Sequence, residues 1–206
     1  MKLFLIRHGR TPANSEKRLI GQKYDGDLCD FGIKQVKSLA SKFINKQIDV
    51  IITSPLLRAK HSAEILQKAI DSNIQIIIDN ALIEREYGQF EYCNKEELKE
   101  KKESMGIKFG DIVNYYLNSI GGTELRGDVF YRIQTSLDLA RIRYGENAIL
   151  AYITHGGVIY SFITESLRIP EEQERPFKIC EASYLECNID THNIVEIIAL
   201  WNNNIQ

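Results

Sequence analysis

Apolar positions cluster in two ways along this chain. Short, nearly continuous apolar runs fall at about 2–7, 49–53, 74–78, 148–154, 183–188 and 194–200. Runs of that length between breakers suit strands covered on both faces. Between them, apolar residues recur with a helical period over about 30–46, 56–70, 123–143 and 157–168, with shorter pieces near 94–118. Strands alternating with helices predict an α/β fold: a three-layer α/β/α sandwich on a mostly parallel sheet. The last two strands, joined by Asn188–Asn193, read as a hairpin, so one edge of the sheet is expected to be antiparallel. Without repeats, low-complexity segments or a linker, residues 1–206 are expected to form a single domain.

Composition narrows the partners. A formal net charge of −2 gives no broad basic footprint for nucleic acid. No apolar run approaches the roughly 20 residues that span a bilayer, and the opening segment lacks the pattern of a secretory signal. A cytoplasmic protein without a membrane partner is expected, its oligomeric state left open. The cysteines Cys29, Cys93, Cys180 and Cys187 form no Cys-x-x-Cys pair and no zinc spacing with histidine, so plain reduced thiols are expected.

The chemistry gathers at the ends of three predicted strands. Lys2–Ile6 runs into Arg7-His8-Gly9, and Tyr152-Ile153-Thr154 runs into His155-Gly156-Gly157. The run Asp49–Thr53 leads into Ser54-Pro55 and then Arg58 early in a helix. Open α/β sheets place ligands beyond the carboxyl ends of their strands. A guanidinium grips phosphate oxygens in a fork, and a neutral imidazole can attack phosphorus. Two histidines and two arginines at one sheet edge supply the cationic capacity to hold a phosphoryl group.

With these motifs in order, the chain resembles the phosphoglycerate-mutase-like histidine phosphatases over nearly its whole length. Arg7-His8-Gly9 with Thr11 and Asn14 is similar to the family's opening signature, and Ser54–Ala59 with Ala63-Glu64 to its second. Leu82–Glu91 is similar to the segment carrying the general acid, and His155-Gly156-Gly157 to the closing signature. Gly122-Thr123-Glu124 before a long helix is a weaker echo. The resemblance implies that His8 is the nucleophile, forming a phosphohistidine, and that Glu84 is the general acid, with Glu86 and Glu91 as neighbours to be told apart from it. Arg7, Arg58 and a protonated His155 would surround the non-bridging oxygens. Asn14 and Thr11 would bind phosphate or orient the loop after the first strand, and Gly21 and Gly156 would offer backbone N–H groups. His61 and His192 look like bystanders.

The resemblance also implies a helical insertion, at about 94–122, that caps the site, with Tyr115 and Tyr116 as first candidates for touching a leaving group. The alternative is a solvated helix, since Lys95–Glu103 is a charge run with a favourable Glu97–Lys101 pair. Asp25-Gly26-Asp27 does not end an apolar strand, as an aspartyl-phosphate motif would, and reads as a loop initiating the following helix. Nor does any cysteine have the arginine six residues later that cysteine phosphatases use; those positions are Gln35, Lys99, Glu186 and Asn193. No metal or other cofactor is required by these residues.

The expected activity is hydrolysis of a small organic phosphomonoester. Small bacterial enzymes that release α-ribazole from its 5′-phosphate are similar in length and motif pattern, and sugar phosphates are an equal possibility. A cofactor-dependent phosphoglycerate mutase is the main alternative. The family's mutases carry a Trp and an Arg pair where this chain has Gln22 and, in the insertion, only lysines; no arginine occurs between Arg85 and Arg126. A non-catalytic phosphoryl-binding protein is the third reading, against which His8, His155 and Glu84 are all retained.

Overall fold

The apolar runs assemble into one sheet of six strands. In the computed structural model, which describes residues 1–105, 122–170 and 177–203, these are β1 (Lys2–Arg7), β2 (Val50–Thr53), β3 (Ile76–Ile78), β4 (Ile149–Thr154), β5 (Tyr184–Ile189) and β6 (Val195–Trp201). Their order is β3-β2-β4-β1-β5-β6. The β3–β2, β2–β4 and β4–β1 pairs are parallel, while β5 runs antiparallel to both β1 and β6. The expected α/β sandwich with an antiparallel edge is what forms.

Alternation along the strands feeds two cores. Leu3 and Leu5 of β1 face one layer, built from α5 (Arg126–Tyr144) through Val129, Ile133 and Leu137 and from α6 (Gly156–Ser166) through Val158 and Phe162. Phe4 and Ile6 face the other, where α2 (Asp30–Ala40) supplies Val36 and Leu39 and α3 (Leu57–Ile70) supplies Ala63 and Leu66. Each such leucine or phenylalanine contributes about 1.5–3 kcal/mol on burial. Two shorter α-helices, α1 (Pro12–Ser15) and α4 (Lys95–Ser104), and two 3-10 turns, Asn80–Leu82 and Gly88–Phe90, complete the described elements.

Several boundaries differ from the periodicity, each for a local reason. The helix expected over 30–46 stops at Ala40, because Lys42, Phe43 and Lys46 donate to carbonyls three residues back and the tightened chain turns Phe43 into the core. The helix expected from 123 starts at Arg126, because Thr123 bridges Tyr87 and the Glu124 N–H donates to Glu86 O at 2.9 Å. Asp25 does not start α2. Its carboxylate accepts from Leu57 N at 2.6 Å, satisfying the first turn of α3 instead. The Glu97–Lys101 pair is also replaced: Glu97 accepts from Asn94 N at 2.9 Å, Lys101 Nζ donates to Gln89 O at 2.8 Å, and the i,i+4 pair is Lys99–Glu103 at 3.8 Å.

Candidate active site

The register of the three central strands decides where their ends emerge. Arg7 of β1 lies opposite Thr154 of β4, and Thr53 of β2 opposite Ile153. His8 N donates to Thr154 O at 3.0 Å and Ser54 N to Ile153 O at 2.9 Å. His8, Ser54 and His155 therefore leave the sheet side by side, and the His8 and His155 ring centroids are 5.1 Å apart. Gly9 makes this exit possible, since a Cβ there would lie 2.6 Å from Gly32 O.

His8 is 2% exposed and its Nδ1 lies 2.7 Å from Gly9 O. A carbonyl only accepts, so Nδ1 carries the proton and Nε2 keeps its lone pair. Burial, Arg58 and Arg7 hold its pKa well below the usual 6.5, against the smaller opposing pull of Gly9 O. At neutral pH the ring is uncharged.

His155 departs from expectation. Burial first, then Arg58, His8, Arg132 and Arg7, depress its pKa as well, so the protein groups keep it neutral rather than protonated. Its Nε2 is 2.7 Å from Ser54 Oγ, and that oxygen also accepts from Leu56 N at 3.3 Å. With Leu56 N–H already donating to that oxygen, the serine hydroxyl is assigned as the donor to Nε2, which makes His155 the Nδ1–H tautomer. Among the described residues, its buried Nδ1 has no hydrogen-bond partner. A neutral imidazole in this state still donates one hydrogen bond. Ser54, fully buried, was not singled out from sequence. The available signal was a small hydroxyl set between a strand end and a proline.

The two guanidiniums are anchored differently. Arg58 is fully buried and donates Nη1 to Tyr24 O at 2.8 Å and Nη2 to Gly21 O at 2.9 Å. Gly21 thus contributes a carbonyl to Arg58, where an N–H for phosphate was expected. A Cβ on Gly21 would collide with the Glu91 side chain at 2.1 Å. Arg7 donates Nη1 to Ile179 O at 2.7 Å and pairs through Nη2 with Glu181 at 3.3 Å. Among the described residues, the buried Nε of each arginine has no hydrogen-bond partner.

Glu84 is 6% exposed. Its Oε1 accepts from Arg85 N at 2.7 Å and its Oε2 from Gly157 N at 3.4 Å. Burial raises its pKa, and the two N–H groups, Arg58 and Arg7 only partly oppose that. A Cβ on Gly157 would meet Glu84 Oε1 at 2.6 Å, so only glycine lets α6 begin this close to the carboxyl. The segment is pinned from behind. Gln22 Nε2 donates to Glu84 O at 2.8 Å, while Glu124 accepts from Arg132 Nε at 2.8 Å and from Glu86 N at 3.2 Å. Glu91 organises the loop, accepting from Gln22, Lys23 and Tyr87 backbone N–H groups.

Thr11 is the N-cap of α1; its hydroxyl accepts from Asn14 N at 3.3 Å and donates to Asn14 Oδ1 at 3.0 Å. It orients the loop, whereas Asn14 lines a cavity of about 670 Å³ together with Arg7, Glu84 and Gly156. Tyr87, Tyr160 and Phe177 also line it, and the last two fall outside every motif read from the sequence. His8, Arg58 and His155 do not line it; they are 2%, 0% and 0% exposed. His61 pairs with Asp27 at 2.9 Å, and His192 sits in the β5–β6 turn. Tyr115 and Tyr116 lie outside the described residues. Among those residues, no group of three or more His, Cys, Asp or Glu side chains is placed to hold a metal ion, and no helix is long and apolar enough to cross a membrane.

The sequence profile of the histidine phosphatase superfamily (branch 1) matches residues 3–204. The chain belongs to that family. This histidine phosphatase is 24% identical over 162 residues to a putative phosphoserine phosphatase 2 of Hydrogenobacter thermophilus, covering 79% of this chain and 76% of the relative. It is 31% identical over 166 residues to a 2,3-bisphosphoglycerate-dependent phosphoglycerate mutase of Rhizobium etli, covering 78% and 77%. Its fold superposes on a putative α-ribazole-5′-phosphate phosphatase of Escherichia coli with a TM-score of 0.77 at 20% identity, covering 100% of this chain and 98% of that one. Phosphatases and mutases are both among its relatives.

Proposed function

We propose that this histidine phosphatase hydrolyses a small organic phosphomonoester through a phosphohistidine on His8. The observation that carries the reading is the neutral His8 ring, tethered through Nδ1 to Gly9 O and lying in the field of Arg7 and Arg58. Nε2 attacks phosphorus, the P–O ester bond breaks, and Glu84 gives its proton to the departing alkoxide. Arg7, Arg58 and the Nδ1–H of His155 hold the three non-bridging oxygens, which is where a protein contributes most to phosphoryl transfer. Water then attacks phosphorus, its proton passing to Glu84, and the P–N bond breaks, releasing inorganic phosphate and restoring His8.

Hydrolysis is favoured over mutase chemistry by the use of Gln22, which anchors the backbone of Glu84, and by the lack of arginine between Arg85 and Arg126 to hold a substrate carboxylate. α-Ribazole 5′-phosphate and sugar phosphates are the substrates to try first. The test is rapid trapping with ³²P-labelled ester followed by peptide mapping, which should give an acid-labile, base-stable label on His8 and none in His8→Ala. Label on an aspartate or cysteine would sink the mechanism. Faster equilibration of 3- and 2-phosphoglycerate by primed enzyme than phosphate release from any ester would make it a mutase.

A further inference from the structure

Behind Arg7 stands a second layer of charge that the mechanism above does not use. Glu181 Oε1 pairs with Arg7 Nη2 at 3.3 Å, and its Oε2 with Arg10 Nη2 at 3.2 Å. Arg10 is held in turn: its N–H donates to Gln35 Oε1 at 3.0 Å and its guanidinium lies 4.9 Å from the Phe31 ring centroid. Arg7 lines the cavity, but neither Glu181 nor Arg10 does. Burial works against charge on Glu181, yet Arg7 and Arg10 outweigh it and keep the carboxyl below its usual range. The group is thus Arg⁺–Glu⁻–Arg⁺ in a row, and only the first member faces the cavity.

We propose that Glu181 is a positioning residue for the phosphate subsite, that it also sets the subsite's charge, and that Arg10 sets how much of that carboxylate Arg7 must neutralise. The proposal rests on the phosphate-binding reading of Arg7 given above. Its geometry is specific. Ile179 O takes one end of the Arg7 guanidinium and Glu181 the other, so the remaining donors, including the unpartnered Nε, have a fixed direction. Its electrostatics have a sign. The row carries a net charge of about one positive unit; removing the Glu181 charge raises it to two, and removing Arg10 lowers it to zero. Arg58 donates to neutral carbonyls, and the carboxylates of Glu84 and Asp25 act on it only through space. Arg7 is therefore the guanidinium trimmed by a directly paired carboxylate, which keeps the subsite from retaining the phosphate it produces.

Opposite signs make the test decisive, because simple structural damage would weaken binding in both variants. Inhibition by inorganic phosphate and by vanadate is measured with para-nitrophenyl phosphate as substrate, for the wild type, Glu181→Gln, Glu181→Asp and Arg10→Met. Met keeps an apolar stem over Phe31. In Glu181→Gln the Ki for phosphate and the KM should fall together by about three- to tenfold while kcat does not rise. In Arg10→Met the Ki should rise by about two- to fivefold, less because the Arg10 side chain is 38% exposed and salt screens it. Glu181→Asp keeps the charge and should stay within about twofold of wild type. Both differences should shrink as ionic strength is raised. Weaker binding in Glu181→Gln and Arg10→Met alike, or an unchanged Ki in either, overturns the proposal; if Glu181→Gln does not fold, Glu181→Ser, which also removes the charge, is measured in its place by the same criteria. If the wild type neither forms the His8 label nor binds phosphate or vanadate, the functional reading falls and takes this one with it. Normal labelling of His8 with unmoved Ki values defeats this proposal alone.

Discussion

Replacing Ser54 with alanine tests the tautomer assigned to His155. The substitution removes one oxygen that bonds to His155 Nε2 at 2.7 Å and to Leu56 N at 3.3 Å, at a fully buried position. Two buried polar groups lose their partner, which costs about 1–3 kcal/mol. For a chain of this size that lowers the melting temperature by about 2–4 °C per kcal/mol. The effect on turnover has a separate origin. Without the serine proton on Nε2, His155 is free to carry its own proton there, and Nδ1 then offers a lone pair to an anionic phosphoryl oxygen. Losing one donor to the transition state is worth about 1.4–2.7 kcal/mol, so kcat should fall about 10- to 100-fold. The assay pairs steady-state kinetics with long-range ¹H–¹⁵N correlation of the histidine rings, which reports the tautomer directly. Wild-type His155 should show the Nδ1–H form and Ser54→Ala should lose it. An Nε2–H tautomer in the wild type, or a folded Ser54→Ala enzyme with kcat within about twofold of wild type, would refute the reasoning.

Three further outcomes follow from the same geometry. Glu84→Gln should slow single-turnover phosphoenzyme formation about 10²–10⁴-fold for alkyl phosphates and far less for aryl phosphates, which leave without a proton; equal damage to both removes Glu84 from the acid role. Both site histidines have folded pKa values below the usual 6.5, so their contribution to stability is full above that pH and is lost as pH falls beneath it. Each adds a slope that approaches about 1.4 kcal/mol per pH unit as pH falls below 6.5, measurable by denaturant titration between pH 6.5 and 5.5 and reduced in His8→Asn. Glu84, whose pKa is raised above 4.5, acts in the opposite sense, favouring the fold at low pH and losing that advantage as pH rises through its folded value. A thiol reagent at pH 8 should label Cys29 and Cys180 in the native protein, and all four cysteines only after denaturation. Cys93 and Cys187 are buried, and burial with Glu186 nearby pushes the Cys187 thiol up to about 12; rapid native labelling of Cys187 would contradict this.

The strands and the strand-end residues were legible because both depend on local pattern. An apolar run ending in Arg7-His8-Gly9 carries its own punctuation, and the same grammar at Thr154-His155-Gly156 marks a second strand end. What joined them was register, and register depends on pairings between Lys2 and Ile149 that no local window contains. Charge states were misread for the same reason. His155 looks like a cation beside a phosphate, but its neutrality comes from burial and from Arg58, nearly a hundred residues away in sequence. Asp25 precedes α2 in the chain, yet its carboxylate satisfies Leu57 at the start of α3. Glu181 lay outside every motif, because its significance rests wholly on Arg7 and Arg10 being brought to it.

The position of β1 in the sheet bears on how the enzyme comes into being. It is the earliest strand in the chain, yet its two neighbours are β4 and β5, so Lys2 waits for Ile149 on one side and Asn188 on the other. During vectorial synthesis β2 and β3 can pair soon after they emerge, while the strand bearing His8 has no partner until most of the polypeptide exists. Closing loops that long is slow, and an apolar strand left unpaired meanwhile is an aggregation hazard that chaperones relieve. His8 is thus made well before the strands that flank it and is fixed in place only after them. A nascent chain stalled before Ile149 has β2 and β3 to pair but lacks β4, the strand that sets His8 and Ser54 beside each other.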